Sequence, residues 1–340
     1  MNKLSIKSED IVNNSYASLD SDNSFIAFKS VNNIIILIYA NKKKSILSFN
    51  LIDNKKINEI KNAHENYITN FRHYSDIINK RDLIISTSFL DNNIKLWDIN
   101  NIECLLNINK ANDNGFIYSS CFLNNNNQLY ILSSGCNDDY EYEDDFEPIK
   151  VYDFNGINIK EINDSNQLTF FIDTYFHNKL NKIFILTGNH GYAKSYDYNN
   201  NKLYRQYGKY DGNSFMSLVI NDNDNDNDKD IQLIYSGRHG LIKIWNFDLG
   251  KLIKIIDINT GLYGICIWNN DYLFVGCIDN TIELINIKKG LQIKSLRGHY
   301  REVITVKKIN HPQYGECLIS QNFENSRIKL WTNLSNLFQS

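Results

Sequence analysis

Along much of the chain apolar and polar residues alternate, and one alternating run recurs in a fixed form: a short strand, an aromatic or large apolar residue, then a small polar one, usually Asp or Asn. Its copies are SILSFN, ending at Phe49-Asn50; NIKLWD, at Trp97-Asp98; PIKVYD, at Tyr152-Asp153; YAKSYD, at Tyr196-Asp197; LIKIWN, at Trp245-Asn246; TIELIN, at Ile285-Asn286; and RIKLWT, at Trp331-Thr332. Strict alternation has the two-residue period of a strand and not the 3.6-residue period of a helix. Successive copies lie 40 to 55 residues apart. After every copy but the last comes a polar turn and a second alternating run: KKINEIKN, IECLLNI, INIKEI, KLYRQY, KLIKII, LQIKSL. Further apolar runs precede the copies, such as IYSSCF with QLYILSS, or YGICIW with YLFVGC. Each repeat thus reads as four short antiparallel strands. One such sheet cannot bury both faces alone, whereas stacking like sheets in a ring does so and removes the exposed ends. The pattern predicts an all-β fold, a seven-bladed β-propeller of four-stranded antiparallel blades, as a single domain over residues 1–340. Few residues follow Trp331 and no turn precedes them, so residues Leu4–Lys7 are expected to supply the outer strand of the last blade.

The repeats resemble WD40 repeats over essentially the whole chain. The best matches run from Ala63-His64 to Trp97-Asp98 and from Gly298-His299 to Trp331-Thr332. In that family a His in the loop from strand d to the next strand a, a Ser or Thr in strand b, an Asp in the b–c turn and the Trp of strand c share one hydrogen-bond network. The resemblance implies this network for His64, Ser86 or Ser88, Asp91 and Trp97. Asp279 stands at the acidic position before Ile285, and the seventh unit offers His299, Ser320 and Trp331, with Asn325 replacing the acid. His190 and His239 fill the turn position in units four and five, each followed by Gly. With one Gly-His and one Trp-Asp, the chain is a degenerate member. The resemblance implies a non-catalytic scaffold for protein–protein interactions and complex assembly, with other proteins or peptides bound on the face of the d–a loops and b–c turns. The implied contact positions are Asn66 and Arg301, two residues past a blade histidine, and by register Asn213, with Tyr263 nearby. The Trp-Asp-x-Arg box of cullin-ligase receptors is absent, since Ile99-Asn100 follows Trp97-Asp98. Leu296-Arg297-Gly298 likewise lacks the second Arg of the phosphoinositide-binding box.

Composition agrees and narrows the picture. The 340 residues include 53 Asn and 49 Ile but only 6 Ala, which disfavours helix. A hydrophobic share of 42% is too high for general disorder. A net charge of -3 lacks the basic excess of a nucleic-acid binder, so no nucleic acid is expected. No apolar run approaches the roughly 20 residues of a membrane span. The first residues, MNKLSIKSED, lack a signal-peptide core, and the six Cys form no CxxC pair. A cytoplasmic or nuclear protein is expected, monomeric within a larger complex. Phosphate loops, nucleophile elbows, dinucleotide fingerprints and paired His motifs are all missing, so the expectation is no enzyme, no metal and no cofactor.

Two charged features remain. Asp138, Asp139, Glu141, Glu143, Asp144, Asp145 and Glu147 crowd the long b–c segment of unit three, around Tyr140, Tyr142 and Phe146. Such a block reads first as a solvated loop, and otherwise as a dock for a basic partner. The alternating Asn221–Asp230 stretch lacks the Gly and Glu of a calcium loop, with Asn227 and Leu233 in their places, and reads as an insert. Arg238, Arg301 and Arg327 fall near one mouth of the expected channel. Arg suits bidentate capture of phosphate or carboxylate, which makes a phosphopeptide or acidic-peptide reader the alternative function. An enzyme or small-ligand binder using the channel is the remaining alternative.

Overall fold

The computed structural model describes residues 6–15, 24–42, 44–111, 115–137, 148–163, 169–211, 214–222, 230–323 and 326–338. The alternating runs form strands that pair antiparallel, in sequence order, into seven sheets of four. With strands lettered a to d in each sheet, blade 1 is Phe25–Lys29, Ile35–Ala40, Ile46–Asn50 and Lys55–Ile60. Blade 2 is Ile68–Asp76, Arg81–Ser88, Asn93–Asp98 and Glu103–Ile108, and blade 3 is Gly115–Asn125, Gln128–Asn137, Ile149–Tyr152 and Asn158–Ile162. Blade 4 is Phe171–His177, Lys182–Asn189, Tyr192–Asp197 and Lys202–Tyr207, and blade 5 is Phe215–Asn221, Gln232–Gly237, Leu241–Asn246 and Leu252–Asp257. Blade 6 is Leu262–Asn269, Tyr272–Cys277, Thr281–Asn286 and Leu291–Arg297. Blade 7 is Val303–His311, Gly315–Asn322 and Ser326–Thr332, with Lys7–Ser15 outermost.

The core is divided among the seams between blades. Trp97 and Ile84 of blade 2 pack on Ile38 and Ile46 of blade 1. Leu132 and Val151 of blade 3 meet Ile172 and Ile185 of blade 4. Like clusters fill the other seams. The last one joins Ile319, Ile328 and Leu330 of blade 7 to Phe25, Leu37 and Tyr39 of blade 1. The protein is therefore a closed seven-bladed β-propeller.

The N-terminal segment completes blade 7, but later in the chain than expected. Lys7 lies opposite Thr332, Ser8 opposite Trp331 and Val12 opposite Ile328, whereas Leu4 and Ser5 lie outside the described residues. The physical reason is anchoring. Val12 enters the seam between blades 7 and 1, and Asp10 pairs with Arg327 at 2.8 Å and Lys329 at 2.5 Å. The C-terminal Leu334–Phe338 forms a 3-10 turn instead of a strand, with Leu334 buried and Phe338 stacked on Trp268 of blade 6.

The Asp or Asn that ends most of the repeated runs has a local task. Asp98 Oδ1 accepts hydrogen bonds from the backbone N–H of Asn100 (2.9 Å) and Asn101 (3.2 Å), closing the c–d turn. Asn50, Asp153, Asp197, Asn246 and Asn286 do the same. This is the turn chemistry that favours Asx residues. Of the non-Gly residues with positive φ, most are Asn, so the turns absorb part of the Asn excess.

Candidate functional site

The d–a loops and b–c turns share one face of the ring. In blade 2 they are joined by a compact network. His64 Nε2 lies 2.7 Å from Ser86 Oγ, Trp97 Nε1 donates to the same oxygen at 2.8 Å, and His64 Nδ1 lies 3.2 Å from Asp91 Oδ2. The Asp91 carboxylate also accepts from the backbone N–H of Glu65 at 2.9 Å and Asn66 at 3.3 Å. Burial alone would raise the Asp91 carboxyl, but the His64 bond and charge, with help from Ser88 and the Glu65 amide, hold it below its ordinary value. Ser86 and not Ser88 is the hub. The His64, Ser86, Asp91 and Trp97 side chains are spent on fixing the loop, which is how buried polar atoms are normally satisfied.

Blade 7 repeats half of this arrangement. His299 Nε2 lies 2.6 Å from Ser320 Oγ, and Trp331 Nε1 donates to that hydroxyl at 2.7 Å. Burial, with Lys329 nearby, depresses the His299 pKa to about 4, so the ring is neutral. Gly298 lies against the Trp331 ring, where an added Cβ would sit 3.0 Å from the indole. Asn325 lies outside the described residues. Asp279 meets no histidine. It accepts from Thr281 N–H at 3.2 Å and Thr281 Oγ1 at 2.6 Å, and caps its own turn.

The implied contact residues are distributed unevenly. Asn66 is half-buried, tied through its backbone to Asp91. Tyr263 is only 2% exposed and packs on Ile304 beneath the face, so it supports the surface and does not form it. Arg327 is bonded to Asp10 and lies over the Tyr300 ring. Arg238 and Arg301 are exposed, and neither has an ion-pair partner among the described residues. Asn213 and the whole acidic stretch, Asp138, Asp139, Glu141, Glu143, Asp144, Asp145 and Glu147, lie outside the described residues.

Sequence reasoning missed a string of rings on this face. Phe89 stacks on Phe116 at 4.5 Å between centroids and tilts against Tyr118; Tyr118 meets Phe170 edge-on, Phe170 meets His190, and His190 meets Tyr210. The string crosses from the b–c turn of blade 2 to the loop before blade 5. Burial lowers the His190 pKa, which favours the neutral ring there. At its edges Tyr210 is 65% and Leu90 54% exposed. On the other side of the mouth Met216, Ile278 and Phe323 pack on Tyr263 and Ile304. Several of these residues share a cause. The first strand carries a β-bulge around Thr69, Tyr118, Met216, Tyr263 and Ile304, which re-aims a side chain out of the pleat. The available signal was a pair of adjacent apolar residues, such as Ile117-Tyr118 or Phe215-Met216, where alternation calls for one.

Among the described residues no group of His, Cys, Asp or Glu could hold a metal ion, and no helix is long and apolar enough to cross a membrane. Cys121, Cys266, Cys277 and Cys317 are buried, and burial pushes each thiol above its ordinary pKa, Cys317 to about 11. The class that fold and site define is thus a β-propeller with an aromatic loop face. No protein-family model matches the chain, and neither does any curated protein.

Proposed function

We propose that this protein is a degenerate WD40-type propeller that acts as a non-catalytic scaffold, holding protein partners on the face of its d–a loops and b–c turns. The observation that carries the reading is the string of rings from Phe89 to Tyr210, edged by exposed Leu90 and Tyr210. Aromatic side chains bring large contact area at low conformational-entropy cost, and they dominate protein interfaces. The His64–Ser86–Asp91–Trp97 network supports it by holding a loop rigid without exposing a reactive group. We place the protein in the cytoplasm or nucleus.

A second reading, an acidic-peptide or phosphopeptide reader, is favoured by Arg238 and Arg301, whose guanidinium groups lack carboxylate partners among the described residues. Both readings are tested by placing a photo-crosslinking amino acid, in native cells, at Asn66, Tyr210 or Arg301, and on the opposite face at Ile102 or Leu249. Partners should be captured from the first set and not the second. Equal capture from both faces, or capture from the second set alone, would sink the proposal. Capture abolished by Arg238→Ser with Arg301→Ser, but unaffected by Tyr210→Ala, would favour the second reading.

A further inference from the structure

The first strands of successive blades touch one another all round the ring, so they line the central channel. One level of that lining carries charge. Arg72 of blade 2 lies opposite Ile85, and the same register place in the other inner strands holds Ile26, Cys121, Asp173, Val219, Cys266 and Lys307. The places two residues away on either side hold no charged residue. The level thus has two cations and one carboxylate, and none of the three forms an ion pair among the described residues.

Arg72 reaches across the front of blade 3. Its Nη2 donates to the Ile172 carbonyl of blade 4 at 3.2 Å and its Nη1 to the Phe71 carbonyl at 3.5 Å, with the Phe171 ring centre 5.8 Å from the guanidinium carbon. Blade 3 separates blades 2 and 4, so this reach runs through the channel. Asp173 faces the same place: burial pushes the Cys121 thiol up, Asp173 pushes it further and Arg72 opposes both. The Asp173 carboxylate accepts from the Thr174 N–H at 2.8 Å instead of from Arg72. Carbonyls hold a guanidinium without neutralising it, and the group does not give up its proton. Its Nε is buried and has no hydrogen-bond partner among the described residues.

Asn70 stands two residues earlier, on the same face of the strand. It is 2% exposed, and its Nδ2 donates to Ser119 Oγ of blade 3 at 3.4 Å. Its Oδ1 is buried without a partner among the described residues. A buried donor on a cation and a buried acceptor beside it each cost free energy unless they are met. A water meets both but leaves the cationic excess of the level. Sulfate offsets the charge but brings no proton for Asn70 Oδ1. Inorganic phosphate keeps at least one O–H at neutral pH and answers all three demands: one oxygen accepts from Arg72 Nε–H, the O–H donates to Asn70 Oδ1, and the negative charge offsets the excess.

We propose that the channel binds one inorganic phosphate ion between Arg72 and Asn70. The site lies inside the ring and not on the loop face, so it and the partner reading can fail separately.

Equilibrium dialysis of the full chain against radiolabelled phosphate, in chloride buffer at neutral pH, should show one saturable site per chain. Arg72→Gln should weaken it about tenfold or more, as loss of a charged hydrogen bond does. The parent chain supplies a test that needs no variant: arsenate, which has the shape and the O–H of phosphate, should displace the label, and equal sulfate should not. Arg238→Ser with Arg301→Ser should bind as the parent does. A parent with no saturable binding leaves both atoms to water and overturns the proposal. So does sulfate competing as well as arsenate, or a folded Arg72→Gln that binds as the parent does. Loss of binding in the Arg238/Arg301 variant gives the phosphate to the loop face, and glycerol phosphate binding more tightly than phosphate gives the site to a monoester; either result overturns it too.

Discussion

Ile102 occupies the last place where a β-branched residue would be chosen. It stands four residues past Asp98, in the c–d turn, with φ 59°. The same place past Asn50, Asp197, Asn246 and Asn286 holds Asn54, Asn201, Gly250 and Gly290, all with positive φ. The left-handed region costs an L residue with a crowded Cβ roughly 1–2 kcal/mol. Ile102→Asn or Ile102→Gly is expected to stabilise the protein by ~1 kcal/mol, read as a melting temperature higher by about 1–2 °C. A lower one would mean that the half-exposed side chain packs well enough to outweigh the strain. His299 sets a pH dependence. Its folded pKa is about 4, against about 6.5 when unfolded. Between these values the unfolded chain binds a proton that the folded one does not, so stability is full above pH 6.5 and falls as pH drops through that window. The loss is ~1.4 kcal/mol per unit, about 3 kcal/mol in all. Denaturant melts of His299→Gln should flatten the slope between pH 6.5 and 4; an unchanged slope removes His299 as its source. Asp91 acts lower, since its depressed carboxyl contributes stability above its unfolded pKa of 3.8 that is lost as pH falls through the folded value.

At the scale of the element, the blade strands were legible because period-two alternation is a local property, and each polar closing residue announced its turn. The closing strand was less so. Leu4–Lys7 alternates better than KSEDIVNNS, yet Lys7–Ser15 forms the strand because Asp10 finds Arg327 and Lys329, and Val12 finds the last seam. Arg327 and Lys329 are more than three hundred residues away from Asp10 in sequence, and no local pattern encodes them. Deleting residues 1–15 should remove the burial of Val12, worth ~1.5–3 kcal/mol, together with two ion pairs and a strand ladder. A loss of this kind should lower the melting temperature by about 5 °C or more in calorimetry. An unchanged melt would mean that the C-terminal tail can take the strand's place. The bulges left only a doubled apolar residue as their local trace, for the related reason that an extra residue is defined only against its partner strand.

At the scale of the molecule, closure gives each blade two neighbours, so that the inner strands of each sheet bury their apolar side chains in the seams. The seam from Ile319 and Leu330 to Phe25 and Leu37 is packed like the internal ones. The two faces of the ring then differ in character. One carries loops pinned by networks and crossed by rings, the other carries hairpin tips such as Ile77 and Ile78. The sequence by itself determined the number of blades and the repeated strands and turns within them, because these follow from periodicity and residue type within some fifty positions. The residues of the blade 2 network came only as what the likeness of the repeats to a known family implies, with the choice between Ser86 and Ser88 left open. Only the tertiary structure decided which N-terminal stretch closes the ring, that Tyr263 lies beneath the surface, and that Phe89, Phe116, Tyr118, Phe170, His190 and Tyr210 form one string. Those are contacts between blades, set by bulges and long-range pairing that a local pattern does not contain.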